Sequence, residues 1–208
     1  MANRRIKGIV FDIGRVLVRV DIRRAQQGLA AGLNLTPEEL WSAIEKDPCW
    51  EDWQKGRMSA RDWHQNLSNR LGIRMSFEDF KQVWNSALDP EPIHPDSLFA
   101  GLAKSYTLGL LSNTDPIHVE CLESTYRFFH YFPKAVRTYS CAVGSSKPSP
   151  LIYRQALRAC KLRADQTVYI DDIAAYAEAA RALGMEGIQF HSPEQLRDDL
   201  ATLGVETR

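Results

Sequence analysis

Short apolar segments that end in polar residues constrain the fold of this chain most strongly. Three of them, given with the residues that end them, are residues 6–11 with Asp12, residues 106–111 with Ser112, and residues 167–170 with Asp171 and Asp172. Continuous apolar runs of this length are typical of strands covered on both faces, as in a parallel sheet. Residues 187–190 fit the same pattern, and residues 135–143 contain a further candidate strand.

Helical patterns lie between these segments. Residues 95–104, 116–126, 150–160 and 174–183 have helix-like composition and apolar spacing. Gly184 follows the last of them, and glycine readily adopts the left-handed conformation that ends a helix. Residues 192–195 (Ser-Pro-Glu-Gln) form a capping box with proline at the first helical position. The alternation of strands and helices predicts a doubly wound α/β sheet.

Residues 20–90 interrupt this alternation with consecutive helical patterns. Thr36, Ser59 and Ser76 each precede one of them and have an acid three residues later, as expected of helix N-caps. All five tryptophans lie in this segment, and large aromatic side chains suit the core of a small helical unit. Residues 89–92 contain two prolines and are predicted to be the return hinge. We therefore predict a helical insert at 19–90 and a core domain at 1–18 and 91–208.

Composition excludes several classes of partner. Lys plus Arg and Asp plus Glu both number 26 in the 208 residues, so the formal net charge is zero. This balance gives no indication of a nucleic-acid partner. The apolar segments are too short to span a membrane, and we expect a cytoplasmic protein. The four cysteines form neither a CxxC pair nor a zinc-ligand pattern, and we expect reduced thiols.

The residues that end the apolar segments suit phosphate transfer, provided that the strands are adjacent and parallel. Ligands of open α/β sheets bind outside the carboxyl ends of the strands. The carboxylate of Asp12 can attack phosphorus, and the hydroxyl of Ser112 can donate a hydrogen bond to a phosphate oxygen. Asp171 and Asp172 would repel the substrate unless a divalent cation lies between them, and magnesium favours such oxygen ligands. Lys147, which precedes a helix, can neutralise charge on the phosphate and on Asp12.

Four segments resemble the ordered motifs of the haloacid dehalogenase-like (HAD) hydrolase superfamily: residues 11–18 (FDIGRVLV), 111–114 (LSNT), 147–153 (KPSPLIY) and 169–172 (YIDD). The first motif is most similar to the FDxGxV branch, which includes α-glucose-1-phosphate phosphatases and the N-terminal domains of epoxide hydrolases. The resemblance covers nearly the whole chain. It implies an α/β fold with a Rossmann-like parallel core and an inserted helical cap.

The resemblance also implies roles for the residues that match these motifs. Asp12 would be the nucleophile, and Ser112 and Lys147 would bind the phosphate, with Asn113 beside Ser112. The implied magnesium ligands are Asp12, the backbone carbonyl of Gly14, and Asp172 with Asp171 beside it.

The chain departs from the family pattern at several positions. Most HAD phosphatases carry a second aspartate two residues after the nucleophile, where this chain has Gly14. General acid catalysis contributes a factor of about 10²–10⁴, and less when the leaving oxygen is a stable anion. We therefore favour a sugar phosphate such as a hexose 1-phosphate. Ile173 and Tyr176 replace polar residues that would orient the metal ligands, and Arg15 is a candidate to bind phosphate or the substrate body.

Other side chains are weaker candidates. Trp50 and Trp53 are the tryptophans predicted to face the substrate, although packing is the favoured alternative for both. His64 is the histidine that we would test as a replacement general acid. The aromatic cluster at 126–132 indicates a hydrophobic edge or a dimer contact, so the protein is expected to be a monomer or a homodimer.

The function predicted from these residues is a magnesium-dependent phosphatase. It would hydrolyse a small phosphorylated metabolite through an aspartyl-phosphate on Asp12. A catalytically weakened protein that binds a phosphometabolite or a protein partner is the alternative, motivated by Gly14, Ile173 and Tyr176. Dehalogenase chemistry on the same carboxylate is more remote, because the acid pair after the third segment indicates a cation and therefore phosphate.

Overall fold

The structure of the protein, a computed structural model, describes residues 5–206. Its strands are β1 (Gly8–Phe11), β2 (Val18–Val20), β3 (Leu88–Pro92), β4 (Thr107–Ser112), β5 (Arg137–Tyr139), β6 (Thr167–Asp171) and β7 (Glu186–Gln189). Its α-helices are α1 (Ile22–Ala30), α2 (Pro37–Glu45), α3 (Trp50–Gln54), α4 (Ala60–Leu71), α5 (Phe77–Asn85), α6 (Asp96–Leu102), α7 (Pro116–Thr125), α8 (Ser140–Val143), α9 (Pro150–Cys160), α10 (Ala174–Ala182) and α11 (Pro193–Thr202). Short 3₁₀ helices occupy Arg127–Tyr131, Lys134–Val136 and Ala164–Gln166.

A parallel sheet in the order β5-β4-β1-β6-β7 forms the core of the protein. Phe11 of the central strand is paired with Leu110 on one side and Ile170 on the other. Side chains alternate between the two faces, so that Ile9 and Phe11 join one apolar cluster while Val10 joins another. Both faces are therefore covered, as the continuous apolar runs predicted. The predicted α/β fold class with a parallel sheet is confirmed.

The segment at 135–143, which was predicted to contain a strand, divides into two elements. Strand β5 supplies three residues, and the chain then turns directly into the short helix α8. Gly144 ends α8 in the left-handed conformation, with φ of 71°. The segment mixes polar and apolar residues because it contains a short strand and a helix rather than one strand.

The helical insert has its own apolar core. Thr36 makes the predicted capping box at α2, and the Ser59 and Ser76 hydroxyls accept from backbone N–H groups at α4 and α5. Trp53 and Trp63 are fully buried and stack with a ring separation of 5.7 Å. Aromatic packing of this kind allows a unit of five short helices to bury enough area to be stable.

A two-stranded antiparallel ribbon joins the insert to the core. Strand β2 leads out of the core and β3 returns to it, with Val18 opposite Pro92 and Val20 opposite Leu88. The sequence predicted only a hinge at 89–92, since prolines weaken strand predictions. Proline is nevertheless tolerated on an edge strand, where its missing N–H costs no ladder hydrogen bond. The predicted boundaries at 18/19 and 90/91 both cross this ribbon.

The insert packs onto the core at two further places and covers one end of the sheet as a cap. Helix α5 contacts α7, whose Ile117 enters the apolar cluster of the cap. Gly56, which follows α3, lies against α8. A Cβ atom at Gly56 would be 1.8 Å from the carbonyl oxygen of Cys141, and its φ is +66°. Glycine is therefore required for this close approach.

Ser140 bridges the cap and the loop after β4. Its hydroxyl accepts from the backbone N–H of Thr114 at 2.9 Å. The same oxygen lies 2.9 Å from the carbonyl oxygen of Gln54 and 3.0 Å from that of Thr114, as a donor to either. The side chain is fully buried.

Among residues 5–206, no helix is both long and apolar enough to cross a bilayer.

Candidate active site

The carboxyl ends of three adjacent strands bring the predicted reactive residues together. Asp12 follows β1, Ser112 ends β4 on one side of it, and Asp171 ends β6 on the other. The backbone N–H of Asp12 donates to the carbonyl oxygen of Ile170 at 2.9 Å, which extends the sheet to the carboxylate itself. Residues far apart in the chain thus meet because their strands are neighbours.

Lys147 joins two of these carboxylates from the loop before α9. Its Nζ atom lies 2.9 Å from Asp12 Oδ1 and 2.7 Å from Asp171 Oδ2. The side chain is only 1% exposed, so both ion pairs are shielded from water. Asn113 holds the lysine's loop in place: its amide nitrogen donates to the Lys147 carbonyl and its amide oxygen accepts from the Lys147 N–H. Asn113 therefore positions Lys147 through the backbone.

The two acids after β6 have different environments. Asp171 is fully buried and accepts from Lys147, from the Tyr169 hydroxyl and from the Ile173 backbone N–H. The Asp172 side chain is 20% exposed, and its nearest charged partner is Arg15, whose guanidinium lies 3.9 Å away. The oxygens of Asp171 thus already have donors, whereas the carboxylate of Asp172 is partly open to solvent beside Arg15.

Tyr176, which stands where the family pattern has a polar residue, contacts the Lys147 ammonium through its ring. Its ring centroid lies 5.0 Å from Lys147 Nζ, and the ring of Tyr169 lies 5.9 Å from the same atom. Aromatic faces attract a cation at these distances. The lysine is therefore supported by aromatic rings as well as by carboxylates.

Negative charge is in excess at this site. Burial raises the pKa of Asp12 to about 6; the Lys147 ammonium opposes this shift and the neighbouring Asp171 reinforces it. Burial, together with the charge of Asp171, also raises the pKa of Asp172. Although Lys147 Nζ is close to Asp12 Oδ1, that buried oxygen has no well-aligned hydrogen bond. The Lys147 ammonium and the exposed Arg15 guanidinium do not balance three carboxylates.

A divalent cation fits this arrangement. Carboxylate oxygens of Asp12, Asp171 and Asp172 all lie within 4.8 Å of one another. Oxygen ligands at such spacing suit magnesium, which commonly uses one or two carboxylates together with substrate phosphate. The carboxylates of Asp12 and Asp172 are the best-placed donors, because Asp171 already accepts three hydrogen bonds.

A cleft of about 240 Å³ opens beside these residues. Gly14, Arg15, Ser112, Asn113 and Asp172 are among the residues that line it. Arg15 adopts a left-handed backbone conformation with φ of 58°, which is uncommon for a residue other than glycine. A larger cavity of about 560 Å³ lies elsewhere, between α6 and α11, and none of the predicted site residues lines it.

Trp50, Trp53 and His64 do not line this cleft. Trp53 has no exposed surface and stacks on Trp63, so the prediction that it contacts the substrate is wrong and the packing alternative is correct. Trp50 packs against Trp41 and Trp63. The ring of His64 lies inside the cap, with Nε2 at 3.1 Å from the carbonyl oxygen of Met75.

His118 is a cleft residue that the sequence did not reveal. Its Nδ1 atom lies 3.0 Å from Asp115 Oδ2, and its Nε2 lies 3.2 Å from the carbonyl oxygen of Trp84 in the cap. Burial alone would lower the pKa of His118, but the Asp115 carboxylate and the two hydrogen bonds raise it. The sequence could have indicated this residue, because His118 lies in the first turn of the helix that follows Ser112.

A family of known proteins matches most of the chain. The haloacid dehalogenase-like hydrolase family matches residues 6–184. The chain belongs to this family. The resemblance of its four motifs to those of HAD hydrolases is therefore confirmed, and each motif lies at the carboxyl edge of the HAD core sheet.

Two curated proteins resemble this HAD chain over most of its length. A D-ribitol-5-phosphate phosphatase from Bacteroides thetaiotaomicron is 26% identical over 95% of the chain and 98% of its own length. Bifunctional epoxide hydrolase 2 from Mus musculus is 24% identical over 88% of the chain, which spans only 36% of that protein. The family match and the phosphatase relative both support the prediction of a phosphoric monoester hydrolase.

Solved structures of a HAD family enzyme from Bacteroides thetaiotaomicron share this fold. One has a TM-score of 0.82 at 24% identity and covers 94% of this chain and 98% of its own. An aspartate-to-alanine mutant, in complex with magnesium and inorganic phosphate, has a TM-score of 0.79 at 25% identity and covers 90% and 95%. A magnesium cofactor is thus consistent with both the acid cluster described above and this neighbour.

Proposed function

We propose that the protein is a magnesium-dependent phosphatase that hydrolyses a small phosphorylated metabolite through an aspartyl-phosphate on Asp12. The observation that carries the proposal is the buried cluster in which Lys147 contacts both Asp12 and Asp171 beside the accessible carboxylate of Asp172. A purely structural cluster would balance its charges, and this one does not.

In the first step, a carboxylate oxygen of Asp12 attacks phosphorus and the bond from phosphorus to the ester oxygen breaks. Lys147 holds the carboxylate and neutralises charge as it approaches an anionic substrate. Ser112 donates a hydrogen bond to a phosphate oxygen, with Arg15 at the mouth of the cleft as a further donor. When bound, magnesium supplies positive charge that lets the two anions meet and stabilises the charge that develops.

In the second step, water attacks phosphorus and the acyl-phosphate bond breaks, which regenerates the Asp12 carboxylate and releases phosphate. Asp12, Asp172 and the Gly14 carbonyl would hold the cation, whereas Asp171 keeps Lys147 in position. The leaving alkoxide takes a proton from solvent or from the substrate, because Gly14 provides none.

Gly14 favours substrates whose leaving oxygen needs little protonation, such as a hexose 1-phosphate. The relative named for D-ribitol 5-phosphate acts on an alkyl ester instead. Comparable rates of this protein on anomeric and simple alkyl phosphates would remove the argument for an anomeric ester.

The proposal is tested by phosphate release from a panel of phosphate esters, with magnesium and with chelator. We expect magnesium-dependent release by the wild type and a loss of at least about 10³-fold in Asp12→Asn, since the nucleophile is removed. Asp198→Asn, an exposed aspartate on α11, is the matched control and should retain full activity. Undiminished release by Asp12→Asn would refute the mechanism.

Two other outcomes favour the alternatives. Thermal stabilisation by phosphate esters without turnover would indicate a binding protein, as the departures at Gly14 and Ile173 suggest. Halide release from haloacids without a cation would indicate dehalogenase chemistry on Asp12.

A further inference from the structure

Aliphatic side chains make up much of the lining of the cleft: Val18, Val20, Ile22, Leu88, Leu122 and Ile173. Most come from the ribbon and α1, where the chain enters and leaves the cap. Val20, Ile22 and Leu88 are partly exposed, and Ile173 is 42% exposed. Apolar side chains thus remain open to the cleft beside the phosphate-binding residues.

The polar side chains of this wall already have partners. Both ring nitrogens of His118 face acceptors, the Asp115 carboxylate and the Trp84 carbonyl. Both ends of the Asn113 amide bond the backbone of Lys147. His118 can bind a substrate hydroxyl only by weakening these bonds, whereas the Asn113 amide keeps one N–H and one lone pair for a further partner.

Few polar groups of the described cleft then remain for the organic part of a substrate. Ser112 and Asp172 are required by phosphate and metal in the proposed mechanism, which leaves Arg15, Thr114 and the unused half of the Asn113 amide. A hydroxyl buried without a hydrogen bond costs about 1–3 kcal/mol, judged from protein mutations. Arg15 offers no acceptor, and Thr114 and Asn113 offer one side-chain oxygen each, so a polyol with four hydroxyls brings more donors than these side chains can accept.

We infer that the preferred substrate is a phosphate monoester with a short, mainly apolar organic group rather than a polyol or sugar phosphate. The inference rests on the proposed phosphatase function. The volume of about 240 Å³ suits a small organic group, because drug-sized ligands occupy pockets of roughly 300–1,000 Å³. The inference departs from the hexose 1-phosphate favoured by Gly14 and from the substrate named for the bacterial relative.

Two esters with the same carbon chain test it directly. n-Pentyl phosphate and D-ribitol 5-phosphate have the same chain length and a primary alkoxide as leaving group, and they differ in hydroxyl groups. We expect kcat/KM to be about 10–100-fold higher for n-pentyl phosphate, the discrimination typical of an apolar pocket against added hydroxyls. Equal values, or a preference for D-ribitol 5-phosphate, would overturn the inference.

Variants of the wall locate the effect. Leu88→Gln places an amide in the cleft and should lower the preference for n-pentyl phosphate about tenfold. Leu35→Gln, on the exposed surface of the cap, is the matched control and should leave the preference unchanged. If Leu88→Gln does not fold, Val20→Thr is an isosteric replacement that should lower the preference in the same direction. An unchanged preference in the folded variant would contradict the assignment of this wall.

Binding measurements separate this inference from the proposed function. Calorimetry with magnesium compares n-pentylphosphonate with its tetrahydroxy analogue, neither of which can be hydrolysed at the carbon–phosphorus bond by the proposed mechanism. Tighter binding of n-pentylphosphonate supports the inference, and tighter binding of the hydroxylated analogue overturns it. If no ester is hydrolysed, the proposed function fails while this order of affinities still decides the character of the cleft.

Discussion

Two buried clusters of this protein each combine aspartate with a cation, and they differ in balance. At the sheet edge, Lys147 is shared by Asp12 and Asp171, and a buried oxygen of Asp12 has no aligned donor. At the junction of cap and core, Asp115 accepts from four donors: the Trp84 indole, His118 Nδ1, and the backbone N–H groups of residues 117 and 118.

The pKa directions of the two aspartates express this difference. Burial raises the pKa of Asp12, and one lysine does not reverse the shift. Burial also acts to raise the pKa of Asp115, but the charge of His118 and the hydrogen bonds outweigh it and lower the value. A satisfied cluster stabilises the fold, whereas an unsatisfied one retains capacity for a ligand.

The largest effect should follow the removal of the shared cation. Lys147→Met removes the cationic partner of two buried carboxylates, and we expect a loss of about 3–5 kcal/mol in the free energy of unfolding at neutral pH. Denaturant titration measures it. Lys55→Met, which removes a lysine paired with Glu51 on the cap surface, should change stability little. Equal midpoints for Lys147→Met and wild type would contradict the charge analysis.

The balanced cluster should be nearly as sensitive. Asp115→Ala removes the acceptor for the Trp84 indole and for His118, and it also removes the N-cap of α7. We expect a loss of about 3 kcal/mol, measured by denaturant titration. Asp21→Ala, at the exposed N-cap of α1, should cost about 1 kcal/mol. Similar losses in the two variants would show that the contacts with Trp84 and His118 add nothing.

The pH dependence of stability should identify His118. Its pKa is raised in the folded state, so its stabilising contribution is complete below about 6.5 and declines as the pH rises through the folded value. His118→Gln should lose about 1–2 kcal/mol in mildly acidic buffer and less in alkaline buffer. His191→Gln, an exposed histidine, serves as control. Parallel pH profiles of His118→Gln and wild type would exclude a charged His118.

The smallest change in stability should come from the nucleophile itself. Asp12→Asn relieves the excess charge while preserving shape, so in the presence of chelator we expect stability to change by less than about 1 kcal/mol, with a slight increase. Thermal unfolding beside wild type measures it. A loss greater than about 2 kcal/mol would show that Asp12 is a structural partner of Lys147, and the contrast between the clusters would disappear.

The sequence predicted those features that depend on strand order and apolar pattern. Asp12, Ser112 and Asp171 each end a continuous apolar run, and parallel strands bring such ends together. The resemblance implied that Asp172 binds the metal directly with Asp171 beside it. The contacts of Asp171 with Lys147 and Tyr169 were not predictable, because adjacent acids at a strand end differ only in which face each side chain meets. Strand β3 was missed because prolines mask an edge strand.

Which cap residues are buried and which meet the cleft depends on how the cap packs against the core. Trp53 has the composition of a binding residue and the environment of a core residue, and the pattern alone does not separate the two. His118 enters the cleft because Trp84 of the cap meets α7 at that turn. Contacts of this kind arise between elements that are distant in the chain, so local sequence carries no direct record of them.

The hydroxyl of Ser140 has one proton and two carbonyl oxygens within reach, one in the cap and one in the core. If the cap lifts and withdraws the Gln54 carbonyl, rotation about the Cβ–Oγ bond redirects the proton to Thr114. Separation at this point therefore leaves the Ser140 hydroxyl with an acceptor. The loop that follows Ser112 would keep its anchor through such a movement, so substrate entry and product exit need not disturb the phosphate-binding end of the cleft.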